Sequence, residues 1–176
     1  MNKIKDFFAR YGGTIGRILV NHIAMSIFGL LVGIAAYGIH PLLYWGACVL
    51  GVGMYMFLLY MVMWELGAKE NVEVEYGRRP LDKLKGLKIS LVTNSVFIIV
   101  ALVAIIFSFF NLEVADTIAV PMKMFVLSIY LPFFTTFKTF YPLLLLTIIP
   151  EVVVCALSYW AGVSGKKCIF PDKKKK

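Results

Sequence analysis

Charged residues are scarce in this chain of 176 residues, where Asp, Glu, Lys and Arg together make up 16% of the total. Soluble domains usually contain about a quarter charged residues. Apolar residues make up 60% of the chain, and the mean hydropathy is +0.83. The length suits a single domain. The scarcity of charge excludes an ordinary soluble fold and predicts one membrane domain over residues 1–176.

Acidic residues are the scarcer of the two charge types: ten Asp and Glu stand against 18 Lys and Arg, for a net charge of +8. Such a balance is also found in nucleic-acid-binding proteins, but here the basic residues flank apolar segments and no binding motif accompanies them. We therefore expect no nucleic-acid partner. Anionic lipid headgroups are the expected partner, each basic residue contributing about 1 kcal/mol near the membrane surface.

Residues typical of catalysis or metal binding are few, with three cysteines and two histidines. Cys48 and Cys155 lie inside apolar segments, so their spacing supports neither a disulfide framework nor a redox pair. His22 and His40 fall on opposite sides of the predicted membrane. The sequence also lacks the GxSxG, HExxH, Walker A and GxGxxG motifs. We expect no enzyme, no cofactor and no metal site.

Long apolar runs are what the chain has instead. A helix needs about 20 apolar residues to cross the ~30 Å hydrocarbon core, where an unpaired backbone group finds no partner. Four segments meet this requirement: 18–37, 42–64, 89–110 and 143–162. The sequence therefore predicts an all-α, polytopic membrane protein with four transmembrane helices.

The basic residues set the predicted orientation. Sixteen of the 18 lie in three clusters: before residue 18, between Lys69 and Lys88, and after Gly165. Lys/Arg excess marks cytoplasmic segments, and an even number of crossings puts all three clusters on that side. We predict both termini in the cytoplasm, a cytoplasmic loop at 65–88 and a basic tail at 163–176. A bacterial plasma membrane is the expected location.

Residues 111–142 are predicted to lie partly embedded in the outer leaflet. Pro121, Lys123, Pro132 and Lys138 interrupt their apolar run, and proline breaks a helix interior. A fifth crossing here would also place the basic tail opposite the other clusters. In the loop at 65–88, the alternation of apolar and acidic residues at 72–76 predicts a short strand.

Small residues fall at matching depths in the first two spans, which are joined by only four residues. Such spacing lets helix backbones approach closely inside a membrane. We predict helix packing through Gly29 and Gly33 on the first helix, and through Gly46, Ala47 and Gly51 on the second.

Glu151 is the most unusual residue, because it is the ninth residue of the last span, about 12 Å from its outer boundary. A carboxylate at that depth costs about 2.5–3.5 kcal/mol. Pro150 precedes it and can free a backbone carbonyl, an arrangement that resembles the broken helices of ion-coupled transporters. The alternative is a neutral, structural acid that hydrogen-bonds a Ser, Thr or Asn on a neighbouring helix.

A second polar set lies nearer the cytoplasmic boundary, with Asn21 and His22 on the first helix and Thr93, Asn94 and Ser95 on the third. We predict interhelical hydrogen bonds there, through Asn21, Asn94 and Ser95 above all. The basic side chains predicted to contact lipid headgroups are Arg78, Arg79, Lys83, Lys85, Lys88, Lys166 and Lys167.

Two functions are compatible with this sequence. The first is a non-enzymatic accessory or assembly component that works through helix packing and its cytoplasmic loop. The second is a subunit of an oligomeric transporter or channel that uses Glu151 beside Pro150. A homo-oligomer or another membrane protein is the expected partner.

Overall fold

The computed structural model describes residues 3–37, 39–78, 80–110, 113–114, 117–118 and 143–166. All regular structure in these residues is helical, so the all-α prediction is confirmed. Three helices are long and apolar enough to cross a membrane, and a bent pair adds a fourth if it counts as one span. The helices are α1 (Lys3–Tyr37), α2 (Pro41–Glu75), α3 (Lys85–Thr93), α4 (Ser95–Ser108) and α5 (Leu143–Val163).

The first two helices form a hairpin that is longer than the predicted spans. Pro41 stands in the first turn of α2, and the His40 side chain accepts a hydrogen bond from the Leu42 amide at 3.2 Å. Proline suits that position because its missing N–H has no helical partner there. Each helix has 35 residues, or about 52 Å at 1.5 Å per residue. Both therefore extend beyond a ~30 Å hydrocarbon core.

The predicted strand at 72–76 is wrong, because α2 continues through it to Glu75. Two side-chain pairs at the helical spacing i,i+4 stabilise this last part: Lys69 donates to Glu65 at 2.6 Å, and Asn71 donates to Glu75 at 2.7 Å. The helix ends before Gly77, whose φ of 65° is a left-handed conformation that glycine adopts without strain. Much of the predicted loop is thus an extension of α2.

The predicted span at 89–110 is bent: α3 and α4 meet at Asn94 at an angle of 58°, and together they are long and apolar enough to cross a membrane. Polar side chains at the bend donate hydrogen bonds to backbone carbonyls of α3. Thr93 Oγ1 donates to the Ile89 carbonyl at 2.9 Å, and Ser95 Oγ donates to the Val92 carbonyl at 2.8 Å. Asn94 Nδ2 donates to the Ser90 carbonyl at 3.2 Å. Such bonds compete with the helical ladder and bend helices.

Glycines bring three helix backbones together at one end of the bundle. A Cβ added to Gly67 of α2 would lie 2.9 Å from the Val163 amide nitrogen, and one added to Gly162 would lie 2.9 Å from the Ala68 nitrogen. A Cβ on Gly86 of α3 would lie 2.6 Å from Tyr159 Cβ. We call this end, which also carries Arg10, Glu70 and Lys85, the basic end. Close backbone packing of α2, α3 and α5 therefore occurs here.

The small residues predicted to pack α1 against α2 lie outside the close backbone contacts at the basic end. A Cβ added to Gly46 or Gly51 would meet nothing within 4 Å, so neither marks a close backbone approach. Gly29 and Ala47 are half-buried. The surroundings of Gly33 lie outside the described residues. So do most of the predicted outer segment at 111–142 and the basic tail from residue 167 onward.

The glycine contacts generate a prediction for stability. Gly67→Ala should destabilise the protein by about 1–3 kcal/mol, because the new methyl group meets backbone atoms that cannot rotate away. Gly53→Ala is the matched control on the same helix, since nothing lies within 4 Å of its added Cβ. Alanine favours helix over glycine by about 0.8–1 kcal/mol, so the control should be neutral or stabilising. Thermal unfolding in mild detergent measures both; equal melting temperatures would contradict the assigned contact.

Candidate functional site

Glu151 lies at the centre of a buried polar cluster built from α1, α2, α5 and the bend between α3 and α4. Its side chain is 2% exposed and is hydrogen-bonded by Tyr55 and Asn94. The Nδ1 atom of His22 lies 3.8 Å from Glu151 Oε2 and 2.7 Å from the Tyr55 hydroxyl. We call His22, Tyr55, Asn94 and Glu151 the Glu151 cluster.

Aromatic contacts fix the imidazole ring in this cluster. His22 is 2% exposed. Its ring stacks on Phe97 with centroids 4.8 Å apart, and it meets the Tyr55 ring edge-on at 5.3 Å. Ser26 and Thr147 are buried one turn away on α1 and α5. The ring is therefore held by two aromatic rings, with one nitrogen directed toward the Tyr55 hydroxyl and the Glu151 carboxyl.

The chemistry that this arrangement permits is proton exchange between side chains. Carboxyl and imidazole side chains can each gain or lose a proton, and the Tyr55 hydroxyl can donate to one partner while it accepts from the other. Glu151 Oε1 has no hydrogen-bond partner among the described residues. That oxygen is a buried acceptor in the folded chain, and unsatisfied groups of this kind are rare in native structures.

The structure joins two polar sets that the sequence placed at different depths. His22 was expected near the cytoplasmic boundary and Glu151 near the middle of the bilayer, yet they lie side by side. Asn94 joins this cluster, whereas the Ser95 hydroxyl donates to the Val92 carbonyl of α3. Asn21, beside His22, is half-buried. Pro150, which directly precedes the buried Glu151, lies within the continuous helix α5 and is itself exposed.

Tyr55 is a member of the site that sequence reasoning missed. Its ring is fully buried, although an aromatic residue within an apolar span looks like ordinary core or lipid-facing surface. A tyrosine far from the membrane interface needs a partner for its hydroxyl. That requirement was the signal available in the sequence.

A second buried polar cluster lies at the basic end, around Glu70 of α2. Its carboxylate is 4% exposed and accepts hydrogen bonds from Tyr11 at 2.8 Å, Lys85 at 2.7 Å and Tyr159 at 2.5 Å. Arg10 lies 3.4 Å from Glu70 and 2.6 Å from Glu73. We call these six residues the Glu70 cluster; Tyr11, Glu70 and Tyr159 are buried in it, which was not expected from the sequence.

The residues predicted to bind lipid headgroups have different surroundings. Lys85 belongs to the Glu70 cluster, so it faces the bundle interior. Lys88 donates to Asp82 at 2.9 Å, and this hydrogen bond, together with the Leu84 amide and the charge of Lys88, lowers the pKa of Asp82. Lys83 is exposed.

Two more of these basic side chains contact aromatic rings. Arg78 lies over the Tyr76 ring at 5.6 Å, and Lys166 lies over the Trp160 ring at 4.6 Å. Cations at such distances are attracted by the ring face. Arg79 and Lys167 lie outside the described residues.

Comparison with other proteins adds no relative: the chain matches no family model, no curated protein and no solved structure. Within the part of the chain that the structure describes, no group of three or more His, Cys, Asp or Glu side chains is placed to hold a metal ion. The Glu151 cluster is thus the candidate functional site on its geometry alone.

The hydrogen bonds of the cluster generate a second prediction. Tyr55→Phe should lower stability by about 1–3 kcal/mol, because it removes a buried hydroxyl that His22 and Glu151 both contact. Tyr76→Phe is the control, since Tyr76 is largely exposed. Thermal unfolding in detergent measures the difference. Equal stability of the two variants would mean that the Tyr55 hydroxyl contributes nothing to the cluster.

Proposed function

We propose that this protein is a proton-coupled subunit of an oligomeric membrane transporter or channel, with Glu151 as the group that binds and releases the proton. One observation carries the proposal: a buried carboxyl lies 3.8 Å from a buried imidazole, and both contact the Tyr55 hydroxyl. Ionisable side chains inside a membrane are costly, and they commonly mark ion and proton pathways.

A proton suits this site better than a metal ion. Hard cations such as Ca²⁺ take six to eight oxygen ligands. Around Glu151, the neighbouring groups are the hydroxyl of Tyr55, the amide of Asn94 and the imidazole of His22. One carboxylate with hydrogen-bond donors around it forms a proton site, in which the charge of the carboxyl is switched by a single protonation.

Oligomerisation belongs to the proposal because a bundle this small encloses little space. The outer faces of α1 and α2 expose large apolar side chains, among them Leu31, Leu42, Val49 and Leu50. Such faces contact either lipid or further helices. We propose a closed, symmetric homo-oligomer in a bacterial plasma membrane, with both termini in the cytoplasm. On this orientation, Arg78, Lys83 and Lys166 lie near the anionic headgroups.

The accessory or assembly role is the competing function. A buried acid whose hydrogen bonds only hold helices together would serve that role equally well. The two functions differ in whether proton movement depends on Glu151, and this difference can be measured.

The test is proton flux into liposomes that contain the purified protein and a trapped pH-sensitive dye, with a potassium diffusion potential as the driving force. Wild-type protein should acidify the lumen, and Glu151→Gln should reduce the rate to that of protein-free liposomes, because the amide cannot carry the proton. Glu113→Gln is the matched control: Glu113 is exposed, so its variant should keep the wild-type rate.

Two results would overturn the proposal. One is a wild-type rate no higher than that of protein-free liposomes. The other is a Glu151→Gln rate equal to wild type. Either result would favour the accessory role.

A further inference from the structure

We infer that the Glu70 cluster is a gate, which closes the basic end of the bundle above Glu151 and must open for water to reach that carboxyl from this side. The inference rests on the proposed function, since it assigns the entrance to the same proton site. It adds the Glu70 cluster as the entrance, the basic end as the side from which water arrives, and α3 as the helix that links the two clusters.

The gate and the site lie on one face of α5. Glu151, Cys155 and Tyr159 follow one another at the spacing i,i+4, which places them along one side of a helix. Their exposed fractions are 2%, 1% and 0%. The eight residues from Glu151 to Tyr159 correspond to about 12 Å of helix. Tyr159 belongs to the gate, Glu151 belongs to the site, and Cys155 lies midway.

A single carboxylate holds the gate closed. Glu70 of α2 accepts a hydrogen bond from Tyr11 of α1, another from Lys85 of α3 and a third from Tyr159 of α5. Four helices are thus joined at one point. Because charged partners bond more strongly than neutral ones, loss of the Glu70 charge weakens every contact at this point together.

The space below the gate is filled. Gly86 of α3 packs so closely on α5 that an added Cβ would lie 2.9 Å from the Cys155 carbonyl oxygen. Ser90, one turn further on in α3, is 1% exposed, as is Cys155 of α5. Among the described residues, α3 and α5 therefore leave no gap for water at the level of Gly86 and Cys155, and on this inference the closed gate keeps the two helices together.

Helix α3 links the gate to the site. It has nine residues, with Lys85 of the Glu70 cluster at its first position and Asn94 of the Glu151 cluster just past its last. The bend at Asn94 separates it from α4, so α3 can tilt as one short rigid unit. A tilt that separates Lys85 from Glu70 also moves α3 away from Cys155. Such a unit, whose position depends on both sites, is what coupling between them requires.

The native thiol of Cys155 provides the test. In a background with Cys48→Ala and Cys168→Ala, the full-length protein is placed in membrane vesicles and treated with a charged, membrane-impermeant thiol reagent from each side separately. Cys155 should be protected when Glu70 is unchanged. Glu70→Ala should raise the labelling rate by about a hundredfold from the side of the basic end, because removing one partner of a buried ion pair shifts an equilibrium at least that far.

Glu65→Ala is the matched control. Glu65 lies on the same helix, and its carboxylate is ion-paired with Lys69 at 2.6 Å, but its side chain is 48% exposed. Its removal should leave Cys155 protected. Glu70→Gln keeps the volume and oxygen acceptor that Tyr11 and Tyr159 need while removing the charge, so it should give a smaller increase. This milder variant decides the question if Glu70→Ala does not yield folded protein.

Three results would overturn the gate: protection of Cys155 in both Glu70 variants, rapid labelling with Glu70 unchanged, or equal labelling from both sides in the variants. Labelling requires no proton flux. The gate can therefore be supported while the flux experiment on Glu151 fails, and the flux can depend on Glu151 while the gate is refuted.

Discussion

The contact between α2 and α5 at Gly67 and Gly162 sets the relative depth of the buried polar groups that these two helices carry. Neither residue has a Cβ, so the two backbones touch and set the register of two helices that run in the same direction. Tyr55 precedes Gly67 by 12 residues and Glu151 precedes Gly162 by 11, or about 18 Å and 16 Å of helix. Tyr55 and Glu151 are thereby brought to nearly the same depth, and the long Tyr159 side chain comes within hydrogen-bond reach of the Glu70 carboxylate.

The helical character of the fold and the importance of Glu151 follow from local information. A run of about 20 apolar residues suffices to predict a helix that can cross a membrane, and one acid within such a run is visible without any tertiary contact. The partners of that acid are not visible. The predicted depth of His22 was counted from Ile18, where the apolar run begins, whereas α1 begins at Lys3. The boundary of an apolar run therefore does not show which residues of two helices lie at the same depth.

Glu70 was missed for a related reason. An acidic residue among Lys69, Asn71 and Glu73 looks like part of a solvated surface, and the local sequence holds nothing that distinguishes it. Its partners Tyr11 and Tyr159 are 59 and 89 residues away. Only the packing of α1 and α5 against α2 excludes water from its carboxylate. The bend at Asn94 could be predicted only in part. The sequence shows three successive polar residues there, but we expected them to bond to other helices, whereas they bond chiefly to backbone carbonyls of α3.

The two clusters are physically dependent on each other because the same helices carry both. Helix α5 carries both Tyr159 and Glu151. Helix α3 begins at Lys85, and Asn94 directly follows its last residue. A buried carboxylate such as Glu70 keeps its charge only while cations remain in contact with it, so displacement of Lys85 is opposed by the cost of leaving that charge alone. The same displacement removes an amide from Glu151, which alters the stability of its ionised form. On the proposed gate, the protonation of Glu151 and the position of Lys85 are therefore linked through α3, with the bend at Asn94 as the hinge.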